Sequence, residues 1–198
     1  MKLSILIPVY NQEELVIRAI ESIPIRDDIE IIVIDDGSTD KTWKNLFIYQ
    51  KFQNNKIKLL RNNKNMGVSY ALNKGYDAAT GEYVVLLGSD DYFITDEFEK
   101  VVDKELTGED LIYFDLELNN GDKWRLIEET KHLFCGSVKF MKREFIGDTR
   151  CPVELRTAED KVFYEKLMKK KPKEKFLNIV LKHYNHPRKG SLSDIKGE

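Results

Sequence analysis

The sequence predicts an α/β domain with a mostly parallel central sheet flanked by helices. Three observations predict it. Short apolar runs of strand length alternate with segments of helical period through residues 3–91. The joins between them are brief, as crossover units require. After residue 91 the rhythm changes to a hairpin, two helical segments and a final strand. The chain has 198 residues, a length that fits one domain with a proper core. The expected division is a nucleotide-binding front half, about 1–92, and a smaller mixed half, about 93–198.

Leu3 to Val9 is a continuous apolar strand, closed by Pro8 and the polar Asn11. From Glu13 to Ile23, Leu15, Val16, Ala19, Ile20 and Ile23 keep helical spacing until Pro24 stops the run. Glu30 to Ile34 is a second buried strand. It leads into Asp35-Asp36-Gly37-Ser38-Thr39-Asp40, where Gly37 permits a tight turn and the polar residues can cap the next helix. Ile57 to Leu60 is a third strand. Asn65-Met66-Gly67 then opens a helix carrying Val68, Ala71, Leu72, Tyr76 and Ala79 on one face. Gly81 precedes the strand Tyr83 to Leu87, which ends in Gly88-Ser89-Asp90-Asp91. Leu111 to Leu118 and Lys123 to Ile127 flank Asn119-Asn120-Gly121-Asp122, a hairpin signal. Helical spacing returns over Val138 to Phe145 and Ala158 to Met168, and Phe176 to Tyr184 is the last strand.

The balance of 32 basic and 34 acidic residues gives no global field favouring nucleic acid. Cys135 and Cys151 have no zinc or CxxC spacing and read as free thiols in a reducing compartment. No apolar run reaches the ~18 residues of a bilayer span, and the N-terminus enters a strand directly. The expectation is a cytoplasmic protein without a transmembrane segment.

Three strands of the front half end in polar groups: Tyr10-Asn11, Asp35-Asp36 and Asp90-Asp91. In a parallel sheet these tips share one edge, where open α/β sheets bind ligands. Each tip alone reads equally as a turn or helix cap; together they suggest a single site. Paired carboxylates at a strand end suit Mg²⁺ or Mn²⁺ shared with substrate phosphates. Trp43 and Trp124 read as packing residues, and His132, His183 and His186 as surface residues. The run Lys169-Lys170-Lys171 with Lys173 and Lys175 reads as a solvated turn, with a weak patch for anionic headgroups as its alternative use.

In order and spacing, SILIPVYN (4–11), EIIVIDDGSTDKT (30–42), NMGVSYALNKG (65–75), TGEYVVLLGSDD (80–91) and AEDKVFYEKL (158–167) resemble the inverting family 2 glycosyltransferases of the GT-A fold. That resemblance implies a Rossmann-like nucleotide-diphospho-sugar transferase fold and a metal-dependent transfer of one hexose-type sugar from a UDP-sugar to a hydroxyl acceptor. It matches Pro8, Val9, Tyr10 and Asn11 to the loop that holds the base, with Tyr10 against the ring. Asp36 matches the acid that accepts the base imide proton. Asp90 matches the residue near ribose and metal, and Asp91 the carboxylate on Mn²⁺ or Mg²⁺. Asp160 matches the base that deprotonates the acceptor, although Glu159-Asp160 also reads as two acids in a helix's first turn. Gly67 reads either as a close approach to phosphate or base, or as a plain turn. As the alternative to a surface place, His183 or His186, with Arg188, would reach the diphosphate or metal.

The resemblance has two departures. Gly88 stands where the family often has an acid, which leaves more of the metal to Asp91. The Gln-x-x-Arg-Trp signature of processive synthases is absent, so one sugar at a time is expected. The acceptor would be a glycan, lipid-linked sugar or other hydroxyl, bound by about Leu118 to Pro152, and peripheral contact with the inner membrane face fits such an acceptor. Two alternatives stay open: a catalytically degenerate nucleotide-sugar binding protein, and a nucleotidyltransferase of related fold.

Overall fold

The structure, a computed structural model, describes residues 1–52, 57–128, 132–155 and 157–186. In chain order the elements are β1 (Leu3–Val9), α1 (Val16–Glu21), β2 (Ile29–Asp35), α2 (Thr42–Phe52), β3 (Ile57–Arg61), α3 (Val68–Ala78), β4 (Tyr83–Leu86), β5 (Tyr92–Phe93), α4 (Thr95–Lys104), β6 (Leu111–Leu118), β7 (Lys123–Trp124), β8 (Lys139–Lys142), α5 (Arg143–Ile146), α6 (Glu159–Met168) and β9 (Glu174–Tyr184). A 3-10 turn, Gly136–Val138, precedes β8.

The sheet runs β3-β2-β1-β4-β8-β6-β9-β5, with β7 paired to β6. β1 pairs in parallel with β2 on one side and β4 on the other, so Leu6 lies between Ile32 and Leu86. Leu3, Ile5, Leu6, Ile7 and all of β4 are buried. Strands covered on both faces need unbroken apolar sequence, and these have it apart from Ser4. β8 runs antiparallel to β4 and β6, which makes β4, β6 and β9 parallel to one another.

β5 follows the tip of β4 directly, yet it pairs with β9 at the far end of the sheet order. The five residues Leu87 to Asp91 that join the two strands span little distance. The sheet must therefore curl, carrying the end of β9 back to the tip of β4. That curl builds half of the site.

Two expected helices need correction. The helix expected over Val138 to Phe145 is strand β8 followed by the short α5. Its residues Lys139-Phe140-Met141-Lys142 fill the gap between β4 and β6, so tertiary pairing overrides the apolar spacing. The helix expected from Glu13 starts only at Val16. The Glu13 carboxylate instead accepts from Lys41 N (2.8 Å), and its carbonyl from Asn45 Nδ2 (3.1 Å), which ties the turn to α2. Among the described residues no helix is long and apolar enough to cross a membrane.

Candidate active site

The tips of β1 and β2 are clasped together. Asp36 N donates to Val9 O at 2.8 Å. Asn11 adopts a left-handed conformation, φ 50°, which turns its amide toward the next loop. Its Oδ1 accepts from Thr39 N at 2.8 Å, and its backbone N–H donates to Ser38 Oγ at 3.0 Å. Asn is among the few side chains that adopt this conformation readily. Val9 is buried, Pro8 half-buried, and Tyr10 presents its ring to solvent above the edge.

Asp36 is 4% exposed and holds the loop after β3. Its Oδ1 accepts from Asn62 Nδ2 (2.8 Å) and Met66 N (2.9 Å), and its Oδ2 from Gly67 N (2.8 Å). A carboxylate offers about four acceptor sites, so one on Oδ2 remains for a ligand N–H. The loop comes so close that a Cβ on Gly37, at φ +73°, would sit 2.4 Å from the Lys64 carbonyl carbon. Gly67 precedes α3 at φ 94°, and its N–H is committed to Asp36. Behind them Asp35 Oδ1 accepts from Ser38 N, while Arg61 Nε lies 3.0 Å from Asp35 Oδ2 and its guanidinium covers Trp43. Trp43 packs, as expected.

At the β4 tip, Asp90 is half-buried and Asp91 is 1% exposed. A Cβ on Gly88 would lie 2.6 Å from Asp91 Oδ2 and 3.1 Å from Asp90 Oδ1. Both carboxylates thus converge over the bare face of Gly88. Asp91 is also engaged on its far side. Its Oδ2 accepts from Lys182 Nζ at 3.0 Å and its Oδ1 from Asn185 N at 2.9 Å. Among the described residues no group of three or more His, Cys, Asp or Glu side chains is arranged to hold a metal ion. The donor set suits a cation that takes one or two carboxylates and completes its shell with phosphate oxygens and water. Asp91 Oδ2, the carboxylate oxygen nearest Gly88, already faces the Lys182 ammonium.

Asp160 stands half-buried in the first turn of α6, its Oδ1 accepting from Lys161 N at 2.9 Å. Tyr76 of α3 stacks on Phe163 at 5.4 Å, which docks α6 on the front half. Asn73 and Cys151 exchange two hydrogen bonds, 2.9 and 2.8 Å, fixing the segment that leads to α6.

The histidines are not simple surface residues. His132 stacks on Trp124 at 3.8 Å, His183 on Tyr92 at 4.6 Å and His186 on Tyr184 at 5.4 Å. Arg188 lies outside the described residues. Two of the lysines read as solvated are anchored: Lys170 donates to the Phe145 and Ile146 carbonyls, and Lys175 pairs with Glu105 at 3.0 Å. The sequence reading missed Lys182 and Lys139, both buried. The available signal was a lone lysine inside an apolar run, Ile179-Val180-Leu181-Lys182 and Val138-Lys139-Phe140-Met141. It also missed Arg18, whose guanidinium donates to the Asp90 carbonyl and covers the Tyr92 ring.

The family model for Glycosyl transferase family 2 matches residues 4–176. The E. coli UDP-Glc:alpha-D-GlcNAc-diphosphoundecaprenol beta-1,3-glucosyltransferase WfaP is 37% identical over 46% of this chain and 36% of its own length. S. aureus TarS 1–349 in complex with UDP-GlcNAc superposes with a TM-score of 0.81 at 23% identity, covering 96% of this chain and 60% of that one. The mannosyltransferase PcManGT of Pyrobaculum calidifontis, in complex with GDP-Man and Mn²⁺, has a TM-score of 0.73 at 19% identity, covering 96% and 58%. The chain spans 40% or less of the length of these curated relatives.

Proposed function

This chain belongs to glycosyl transferase family 2 and has the GT-A fold; on that premise we propose that it transfers a single hexose-type sugar from a UDP-sugar to a hydroxyl acceptor, inverting the anomeric centre. The observation that carries the reading is one sheet edge bearing the open acceptor site of Asp36 beside Tyr10 and the converging carboxylates of Asp90 and Asp91. Uracil has an imide N–H for Asp36 to accept, and cytosine has none. A bond to a carboxylate is charge-assisted, which makes the choice of base energetically significant.

Asp91 and Asp90 would together hold Mn²⁺ or Mg²⁺. When bound, the cation supplies charge that stabilises the departing diphosphate. The Mn²⁺ complex of PcManGT supports this part of the reading. The acceptor oxygen forms its bond to the anomeric carbon as the bond to the UDP oxygen breaks. Asp160 takes the acceptor proton, and the sugar leaves with inverted configuration. The stacking of Phe163 on Tyr76 docks α6, whose first turn carries that carboxylate, on α3.

The acceptor is a sugar hydroxyl on a glycan or lipid-linked saccharide. The name of the E. coli relative, which specifies a diphosphoundecaprenol acceptor, supports the lipid-linked class and hence work on the cytoplasmic side of the membrane. The test is calorimetric titration of UDP and CDP, with and without Mn²⁺, into the wild type and Asp36→Asn. The expected result is metal-assisted UDP binding, weak CDP binding and loss of the preference in the variant. Absence of UDP binding under both conditions overturns the reading.

A further inference from the structure

Lys139 opens β8 opposite Tyr113 of β6 and is 1% exposed. Its Nζ donates to the carbonyls of Leu133 and Cys135, each at 2.6 Å. It also lies over the rings of Tyr113 and Tyr164, at 5.6 and 5.2 Å from their centroids. Tyr113 donates its hydroxyl proton to Glu174 Oε1 at 2.7 Å. One amino group thus meets the loop before β8, strand β6 and helix α6, and β9 joins through Tyr113.

The position of this cluster gives it a role. Gly136, in the same loop, approaches so closely that its Cβ would stand 2.9 Å from Leu86 Cδ1, at the tip of β4. Tyr164 is one helical turn beyond Asp160 and on the same face. The loop therefore lies between the tip of β4 and α6, within the segment where the acceptor site is expected.

We propose that Lys139 is a positioning residue for the acceptor subsite: its amino group locks the 133–135 loop to the helix carrying Asp160. The proposal rests on Asp160 being the base of the transfer. An apolar residue would fill the volume but leave two carbonyls without their donor, and the loop would lose its fixed distance to α6. The groups facing the amine are Cys135 from the loop, Tyr113 from β6, Tyr164 and Asp160 from α6, and Glu174 from β9. Burial outweighs the opposing pull of Cys135, Asp160 and Glu174 and brings the ammonium down to about 8. With the loop open the lysine regains its ordinary value of about 10.4. The closed state then binds fewer protons than the open one, and closure strengthens as pH rises through this range.

The test is hydrogen–deuterium exchange of peptides covering 132–138 in the full chain, wild type and Lys139→Met, at pH 7 and 9. Rates are corrected for intrinsic exchange, and UDP titration runs in parallel. The expected result is wild-type protection that grows about tenfold from pH 7 to 9. In the variant the same peptides exchange faster, without pH dependence, and UDP affinity is kept. Equal protection in both proteins, or wild-type protection that ignores pH, overturns the proposal. Failure of the Asp160 reading shows separately, as turnover kept in Asp160→Asn, so the two failures are distinguishable.

Discussion

Lys182 of β9 and Asp91 at the tip of β4 form an ion pair at 3.0 Å with both side chains buried. They are separated by 91 positions in sequence and meet because β5 draws the curled sheet shut. The pair ties the acceptor half to the donor half at the point where the diphosphate would sit. Asp91 thus has a structural duty that the family resemblance alone does not indicate.

Breaking a buried pair from one side leaves an uncompensated charge. Asp91→Ala should lower stability by about 3–5 kcal/mol in urea unfolding, and Asp91→Asn with Lys182→Met should recover much of that loss. A cost below about 1 kcal/mol for the single variant would rule out this account of the pair.

Asp90 should behave differently. It is half-buried rather than buried, and Asp90→Asn keeps the side chain's shape, so the unfolding midpoint should move less than in Asp91→Ala. The Mn²⁺-dependent part of UDP binding should disappear in calorimetry. Metal dependence surviving in Asp90→Asn and vanishing in a refolded Asp91→Asn would transfer the ligand role to Asp91.

The glycines at 37 and 67 separate close approach from backbone strain. Both have positive φ, but an added Cβ at Gly67 meets nothing within 4 Å, whereas at Gly37 it meets the Lys64 backbone. Gly67→Ala should cost about 1–3 kcal/mol of strain and keep UDP binding. Gly37→Ala should cost more and weaken UDP, because the loop that Asp36 holds must retreat. Thermal unfolding and UDP titration of the two variants check this ordering.

Asp160→Asn should reduce turnover by about two to four decades, the usual range for a general base. UDP affinity should stay at the wild-type value. A comparable loss of donor binding would place Asp160 in the donor subsite.

Burial pushes the Cys151 thiol up to about 12, with Glu159 and Asp160 adding to the effect. Its thiolate becomes abundant only near that pH, so at pH 8 native Cys151 should resist a maleimide that labels it in urea. Peptide mass mapping reads the result. Rapid native labelling of Cys151 would mean that the segment before α6 opens readily.

Sequence by itself determined the front half: β1, β2, β3, β4 and α3 lie within about a residue of their expected bounds. Their apolar runs are buried on both faces, so local pattern and tertiary demand agree. The placement of Asp36 and of Asp90-Asp91 on one edge followed from strand direction alone. Tertiary structure decided the rest. β8 is a strand because the sheet has a gap there, and no local period records a gap. Lys182 and Lys139 acquired their roles because the curled sheet brings a distant strand, a loop and a helix onto single amino groups. Those contacts arise from chain closure over long sequence separations, which spacing within a segment does not encode.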